Sequence, residues 1–430
     1  MADDDDDSPF DLSKHNCVRC KMRGSEVWSW GAGTHGQLAS GSDCDAFTPH
    51  LVCALSGKDV LQIACGGAHA VAVLGNGEAM TWGRGLSGAL GHGNGSSWNL
   101  PNPVKSLQGI KISSAAAGWN HTAFVTESGG LYTCGDGTFG QLGLGDTETR
   151  FLPCLVEHLT SLFVTMVACG MRHTLALVQG PSEETAVYAF GSNRRGQLGI
   201  EIPKQPQTEG TKNVRCISKP QSITTLNSKK LVAISANGDH SAALTVTGQL
   251  YLWGRGFCNN RDISIPCAAA LGVEICQVSL GWSHGLAISG ASLCECLHST
   301  SARCKISEQL SQEVFSERFL CLPKVGKSGM QALVVAAGSE HSAAVFEDGE
   351  VMVWGWAEHG QLGLSTTENQ NIPQRVVLGR KGLPSDPCSM VGHQTNDGIN
   401  IQTLIQCGSG FTFLLRIPCS SEYTNSSNQG

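Results

Sequence analysis

Apolar residues in this chain come in short runs of about four to six, each cut off by glycine, asparagine or aspartate before a helical face can form. Residues 61–64 and 70–74 are two such runs; Gly75, Asn76 and Gly77 follow, and then the run through Met80 and Trp82. Short β-prone runs bounded by turn residues predict antiparallel strands joined by tight turns. Helical periodicity is nearly absent, and the one candidate helix is 307–319.

The runs themselves repeat. The pairs Trp30-Gly31, Trp82-Gly83 and Cys134-Gly135 stand 52 residues apart, and so do His69, His121 and His173. In each unit a strand ends in Trp-Gly or a substitute, and 19 residues later comes a proline at Pro49, Pro101, Pro153 and Pro373. A small-residue strand ending in Gly-x-x-His follows, filled by His69, His121, His173, His240, His284 and His341, and by Phe411 in the last unit. The Trp-Gly position is held by Trp30, Trp82, Cys134, Phe190, Trp253 and Trp354, and is eroded around Leu297. Four short strands per unit and seven units predict an all-β, seven-bladed β-propeller. The first and last units are each incomplete, so strand 26–30 is expected to complete the blade begun by 411–416. That would close the ring and hide sheet edges. The propeller is expected over residues 25–417, with blade 6 eroded at about 292–323 and insertions at about 201–219 and 379–400. The acidic segment 1–24 and the Ser/Asn-rich tail 418–430 predict disorder.

Composition supports this reading. Glycine is 53 of 430 residues and charged residues are only 15%, which suits turn-rich blades in one large ring. Aspartates fill positions 3–7, and no apolar run of 18 residues occurs, so a soluble protein of the cytoplasm or nucleus without membrane insertion is expected. The 19 cysteines are an odd number, and Cys65, Cys169 and Cys407 recur at one repeat position, where cysteine serves as a small buried hydrophobe in a reducing compartment. A net charge of −7 argues against a broad nucleic-acid surface.

Residues 132–153 (YTCGDGTFGQLGLGDTETRFLP) and 351–373 (VMVWGWAEHGQLGLSTTENQNIP), with 167–177 (VACGMRHTLAL), resemble the regulator of chromosome condensation repeat. Its GQLG, or a near copy, recurs at Gly36, Gly88, Gly140, Gly196 and Gly360. The resemblance implies a seven-bladed propeller. It also implies a choice of functions, because the family includes a guanine-nucleotide exchange factor for the GTPase Ran, a secretion-related exchange-factor-like group, a plant ultraviolet-B photoreceptor and many docking propellers.

Several apparent motifs lose force against the repeat. The GxGxxG strings at 31–36, 83–88 and 135–140 recur at one step of each unit with no helix after them, unlike a dinucleotide fingerprint. Gly326-Lys327-Ser328 lacks the upstream glycine of a phosphate loop, since Cys321 stands there. The repeat histidines sit on separate blades and cannot converge on one metal ion; they are expected to be structural imidazoles bonding turn backbone. Gln37, Gln141, Gln197 and Gln361 are expected to tie their own loops. His15, Cys17 and Cys20, and Cys294, Cys296, His298 and Cys304, could each hold zinc, but neither group has a second Cys-x-x-Cys pair, so free thiols are preferred.

Insertions are where a repeat protein acquires individual function. The insertion in unit 4 places Lys204, Lys212, Arg215 and Lys219 on one loop, and that in unit 7 opens with Arg380 and Lys381; these six are the expected partner-binding residues. Unit 5 loses its GQLG loop. The photoreceptor's route requires tryptophan before the arginine of GWRHT in neighbouring blades. Here only Trp119 and Trp282 fill that position, three blades apart, while Met171 precedes Arg172. The reading is a regulatory protein-interaction scaffold with no catalytic residue and no cofactor. The alternative is an exchange factor for a small, Ran-like GTPase, which needs no triad because it works by differential binding. Light reception comes third.

Overall fold

The computed structural model of the chain describes residues 24–180, 184–201, 216–258, 261–289, 292–297, 319–321, 331–379 and 400–419. Among these residues the strands form seven four-stranded antiparallel sheets arranged as a propeller. Blades are numbered here by their Trp-Gly positions. Blade 2 is typical: Val60–Cys65, His69–Leu74, Ala79–Gly83 and Trp98–Pro103 run from the axis outward. A short 3-10 turn, such as Lys105–Leu107, carries the chain to the next blade and buries one leucine. In blade 1 the strand Glu26–Gly31 lies between Ala46–Leu51 and Phe411–Cys419, in register from Glu26 opposite Arg416 to Gly31 opposite Phe411.

Inner strands of successive blades pack side by side, and those of blade 1 pack on blade 2. The loops before the repeat histidines bond to one another around the axis. Gly67 N donates to Gly118 O at 3.1 Å, Trp119 N to Gly170 O at 3.3 Å and Met171 N to Gly238 O at 2.8 Å. Trp282 N reaches Gly338 O at 3.2 Å, Ser339 Oγ meets Ser409 Oγ at 3.0 Å, and Ser409 N returns to Gly66 O at 3.2 Å.

The glycine after each tryptophan is required by geometry. Gly83 has φ +98°, and an added Cβ would lie 2.5 Å from the Ala68 carbonyl oxygen, so a side chain would collide with the Gly-x-x-His loop of the same blade. The helix candidate 307–319 falls outside the described residues except at Phe319, which begins the strand Phe319–Cys321. In blade 5 the third strand, Leu250–Cys258, turns almost directly into Arg261–Ala268 where blades 1 to 4 and 7 carry a GQLG-type loop.

Candidate functional site

The repeat side chains are spent on holding blades together. His69 Nε2 lies 2.9 Å from Thr122 Oγ1 of the next blade, and the hydroxyl donates to Ala89 O at 2.6 Å. The hydroxyl proton is thus committed, so the imidazole is the donor, through Nε2–H. The same relay runs from His121 through Thr174 to Gln141 O, from His173 through Ser241 to Gln197 O, and from His341 through Thr412 to Gln361 O. His284 meets Ser342 Oγ at 2.9 Å. The tryptophans close the circuit: Trp82 Nε1 donates to Gln37 O, Trp253 Nε1 to Gln197 O and Trp30 Nε1 to Gln361 O, each at 2.9 Å. Each repeat glutamine ties its own loop, its Oε1 accepting from His35 N, Phe139 N, Arg195 N or His359 N.

The histidines therefore bond mainly to a neighbouring hydroxyl and not, as the sequence led us to expect, to turn backbone. His240 is the exception. At the hydroxyl position of the following blade stands Gly285, so His240 Nε2 donates to Trp282 O at 2.8 Å. Where Phe411 replaces histidine, the hydroxyl position of blade 2 is Ala70. Burial, and after it a neighbouring imidazole, lowers His69 to about 3. His173 and His341 fall to about 3 from the same causes, and His121 to about 4 mainly by burial, so all four are neutral. Burial pushes the Cys169 and Cys407 thiols up to about 12, which keeps them protonated.

What remains for function is the rim of the same loops. His69 pairs with Gly83, so the Gly-x-x-His and Trp-Gly loops emerge on one face of the ring. There Trp119 and Trp282, which sequence counting had set three blades apart, meet across the axis with ring centroids 5.2 Å apart and planes inclined at 58°. Beside them a cavity of about 230 Å³ is lined by His35, Arg84, Trp119, Trp356 and His359. His359 Nδ1 lies 3.1 Å from Asp45 Oδ2, whose other oxygen accepts from Gly33 N.

A second cluster lies over blades 3 to 5. The Phe139 ring is flanked by Arg172, its guanidinium carbon 4.5 Å from the centroid, and by Arg194 at 5.4 Å. Arg195 pairs with Asp262 at 3.3 Å. Between them stands Asp239, held by Gln197 Nε2 at 2.9 Å and close enough to Arg255, Arg172 and Arg195 to feel all three. Burial nonetheless raises its carboxyl above the usual range. Sequence reading missed this cluster, because its members come from separate segments of three successive blades.

Of the expected partner-binding residues, Lys204, Lys212, Arg215, Arg380 and Lys381 lie outside the described residues. Lys219 is exposed on Cys216–Ser222 and lies near the blade 3 turn at Gly145. His15, Cys17, Cys20, His298 and Cys304 also lie outside, and the side chains of Cys294 and Cys296 are not described. Among the described residues no group of histidines, cysteines and carboxylates could hold a metal, and no helix is long and apolar enough to cross a membrane.

The profile of the RCC1-like domain matches residues 26–414. The chain is 38% identical over 280 residues to the ultraviolet-B receptor UVR8 of Arabidopsis thaliana, covering 63% of this chain and 60% of that one. It is 29% identical over 433 residues to the mouse secretion-regulating guanine nucleotide exchange factor, covering 93% and 85%. Against human E3 ubiquitin-protein ligase HERC2 it is 29% identical over 82% of this chain but spans only 6% of that protein. Yeast Prp20p superposes with a TM-score of 0.72 at 23% identity, covering 93% of this chain and 92% of that one, a likeness of fold.

Proposed function

Because this chain belongs to the RCC1-like domain family, we propose that it is a regulatory protein-interaction scaffold: one closed ring of seven blades, with strand Glu26–Gly31 as the closing strand, that presents its loop face to a protein partner in the cytoplasm or nucleus. One observation carries the reading. Repeat side chains are buried and bonded between blades, whereas the residue that follows the Trp-Gly position on the loop face changes around the ring, from Ala32 to Arg84, Asp136, Ser192, Arg255 and Trp356. A surface under a structural constraint would repeat with the blades; this one does not.

The second reading, a guanine-nucleotide exchange factor for a small GTPase, is favoured by the near full-length match to the secretion-regulating exchange factor. The cluster over blades 3 to 5 and the insertion at 201–219 share one blade, where a wedge would act by preferring the nucleotide-free state. Light reception stays third: Trp119 and Trp282 form a single ring pair, and Met171 replaces a neighbouring tryptophan.

Release of labelled GDP from Ran and a panel of small GTPases decides between the first two. A scaffold leaves release unchanged and binds its partner whatever nucleotide is present. Acceleration that vanishes when 202–215 or 380–399 is removed would replace the scaffold with an exchange factor.

A further inference from the structure

The cluster over blades 3 to 5 reverses the sign of the molecule. The chain carries a net charge of −7, yet here four guanidiniums, of Arg172, Arg194, Arg195 and Arg255, surround two carboxylates, Asp239 and Asp262. Asp136, on the same turn as Phe139, has its Oδ1 turned to Thr138 N. Among the described residues only Arg195 of the four forms an ion pair, and Asp239 is also bonded by Gln197. Arg172 and Arg194 are steadied against Phe139 without being neutralised by it. Three planar forks are thus presented by loops that the buried relay beneath them holds in place: His173 follows Arg172, and Gln197 lies in the loop of Arg194 and Arg195.

We propose that this patch binds an acidic stretch of a partner protein, whose carboxylates pair with Arg172, Arg194 and Arg255 while its backbone crosses the Phe139 ring. A guanidinium takes a carboxylate through two parallel hydrogen bonds, and such charge-assisted pairs are about twice as strong as neutral ones. The patch spans three blades only. A short acidic peptide neutralises it without meeting the rest of the surface, whereas a nucleic acid would carry its charge into a molecule that repels it beyond the Debye length of about 10 Å. The inference deepens the scaffold reading and rests on it.

The experiment is fluorescence anisotropy of the full chain with a labelled octapeptide of alternating Asp and Ser, beside its Asn counterpart and a 20-nucleotide single strand of DNA. The Asp peptide should bind, weaken as salt rises, and lose about tenfold or more in affinity in the Arg172→Gln, Arg194→Gln double variant. Lys105→Gln, on the opposite face, should leave binding unchanged. Equal binding of the Asn peptide, indifference to the double variant at unchanged melting temperature, or no binding overturns the proposal. Tighter binding of DNA overturns it in favour of a polyphosphate site. GDP release by the same preparations keeps the two failures apart. Acceleration refutes the scaffold whether or not the peptide binds, while a silent peptide with no acceleration refutes the acidic partner alone.

Discussion

The junction between blades 3 and 4 and that between blades 1 and 2 solve one packing problem in opposite ways. At the first, His121 donates to Thr174, which donates to Gln141 O. At the second, Phe411 faces a blade whose hydroxyl position is Ala70, and the contact is apolar, with Trp82 edge-on to Phe413 at 5.7 Å and Phe413 edge-on to Phe411 at 6.1 Å. At these two junctions donor and acceptor are present together or replaced together, and where the histidine alone is kept, His240 turns to the Trp282 carbonyl. A buried polar group costs free energy only when its partner is missing, so either full solution is stable and a half solution is not.

Acid tests the polar junctions most severely. The four lowered imidazoles lie below the ordinary value of 6.5 in the folded chain, so as pH falls the unfolded chain takes up protons first. Their stability is complete above about pH 6.5 and is lost toward pH 4 to 3, at about 1.4 kcal/mol per imidazole per pH unit and about 5 for the four together. Melting temperature should be level from pH 8 to 7 and fall steeply between 6 and 4. A level profile down to pH 4 would mean the relay histidines are not neutral donors.

Substitutions sharpen the contrast further. Thr174→Val leaves the His121 donor and the Gln141 carbonyl unmatched and should cost about 2–4 kcal/mol in denaturant unfolding. Phe411→His should cost about 2 kcal/mol alone and regain at least about 1 kcal/mol when combined with Ala70→Thr, which rebuilds the relay. Simple additivity of that pair would refute the matching rule. Trp253→Phe removes one bond to Gln197 O, which still accepts from Ser241, and should cost about 1–2 kcal/mol. Trp119→Ala lies outside the relay, so its melting temperature should hardly move while near-ultraviolet circular dichroism loses the coupled signal with Trp282.

The landmarks of the relay were legible in the sequence because a fixed spacing repeats them: His121 and Trp82 occupy equal steps of equal units. Their partners were half legible, since the threonine or serine after each histidine is visible but its pairing with the previous blade is not. The contact of Trp119 with Trp282 escaped because counting blades measures distance around the ring, while these side chains meet across it. The arginine cluster escaped for a related reason: Arg172, Arg194, Arg195 and Arg255 lie up to 83 residues apart, and only the curvature of the ring gathers their loops.

The register of Glu26–Gly31 against Phe411–Cys419 has a consequence for how the protein is made. A ribosome delivers the first of these strands long before its partner: at roughly 5–20 residues per second, the wait is about 20–80 s. During that interval Trp28 and Trp30 lack the partner strand that later covers them. Nascent chains halted anywhere before residue 411 would therefore be a natural client for a holding chaperone, and release of the last strand would act as the quality check on the whole ring.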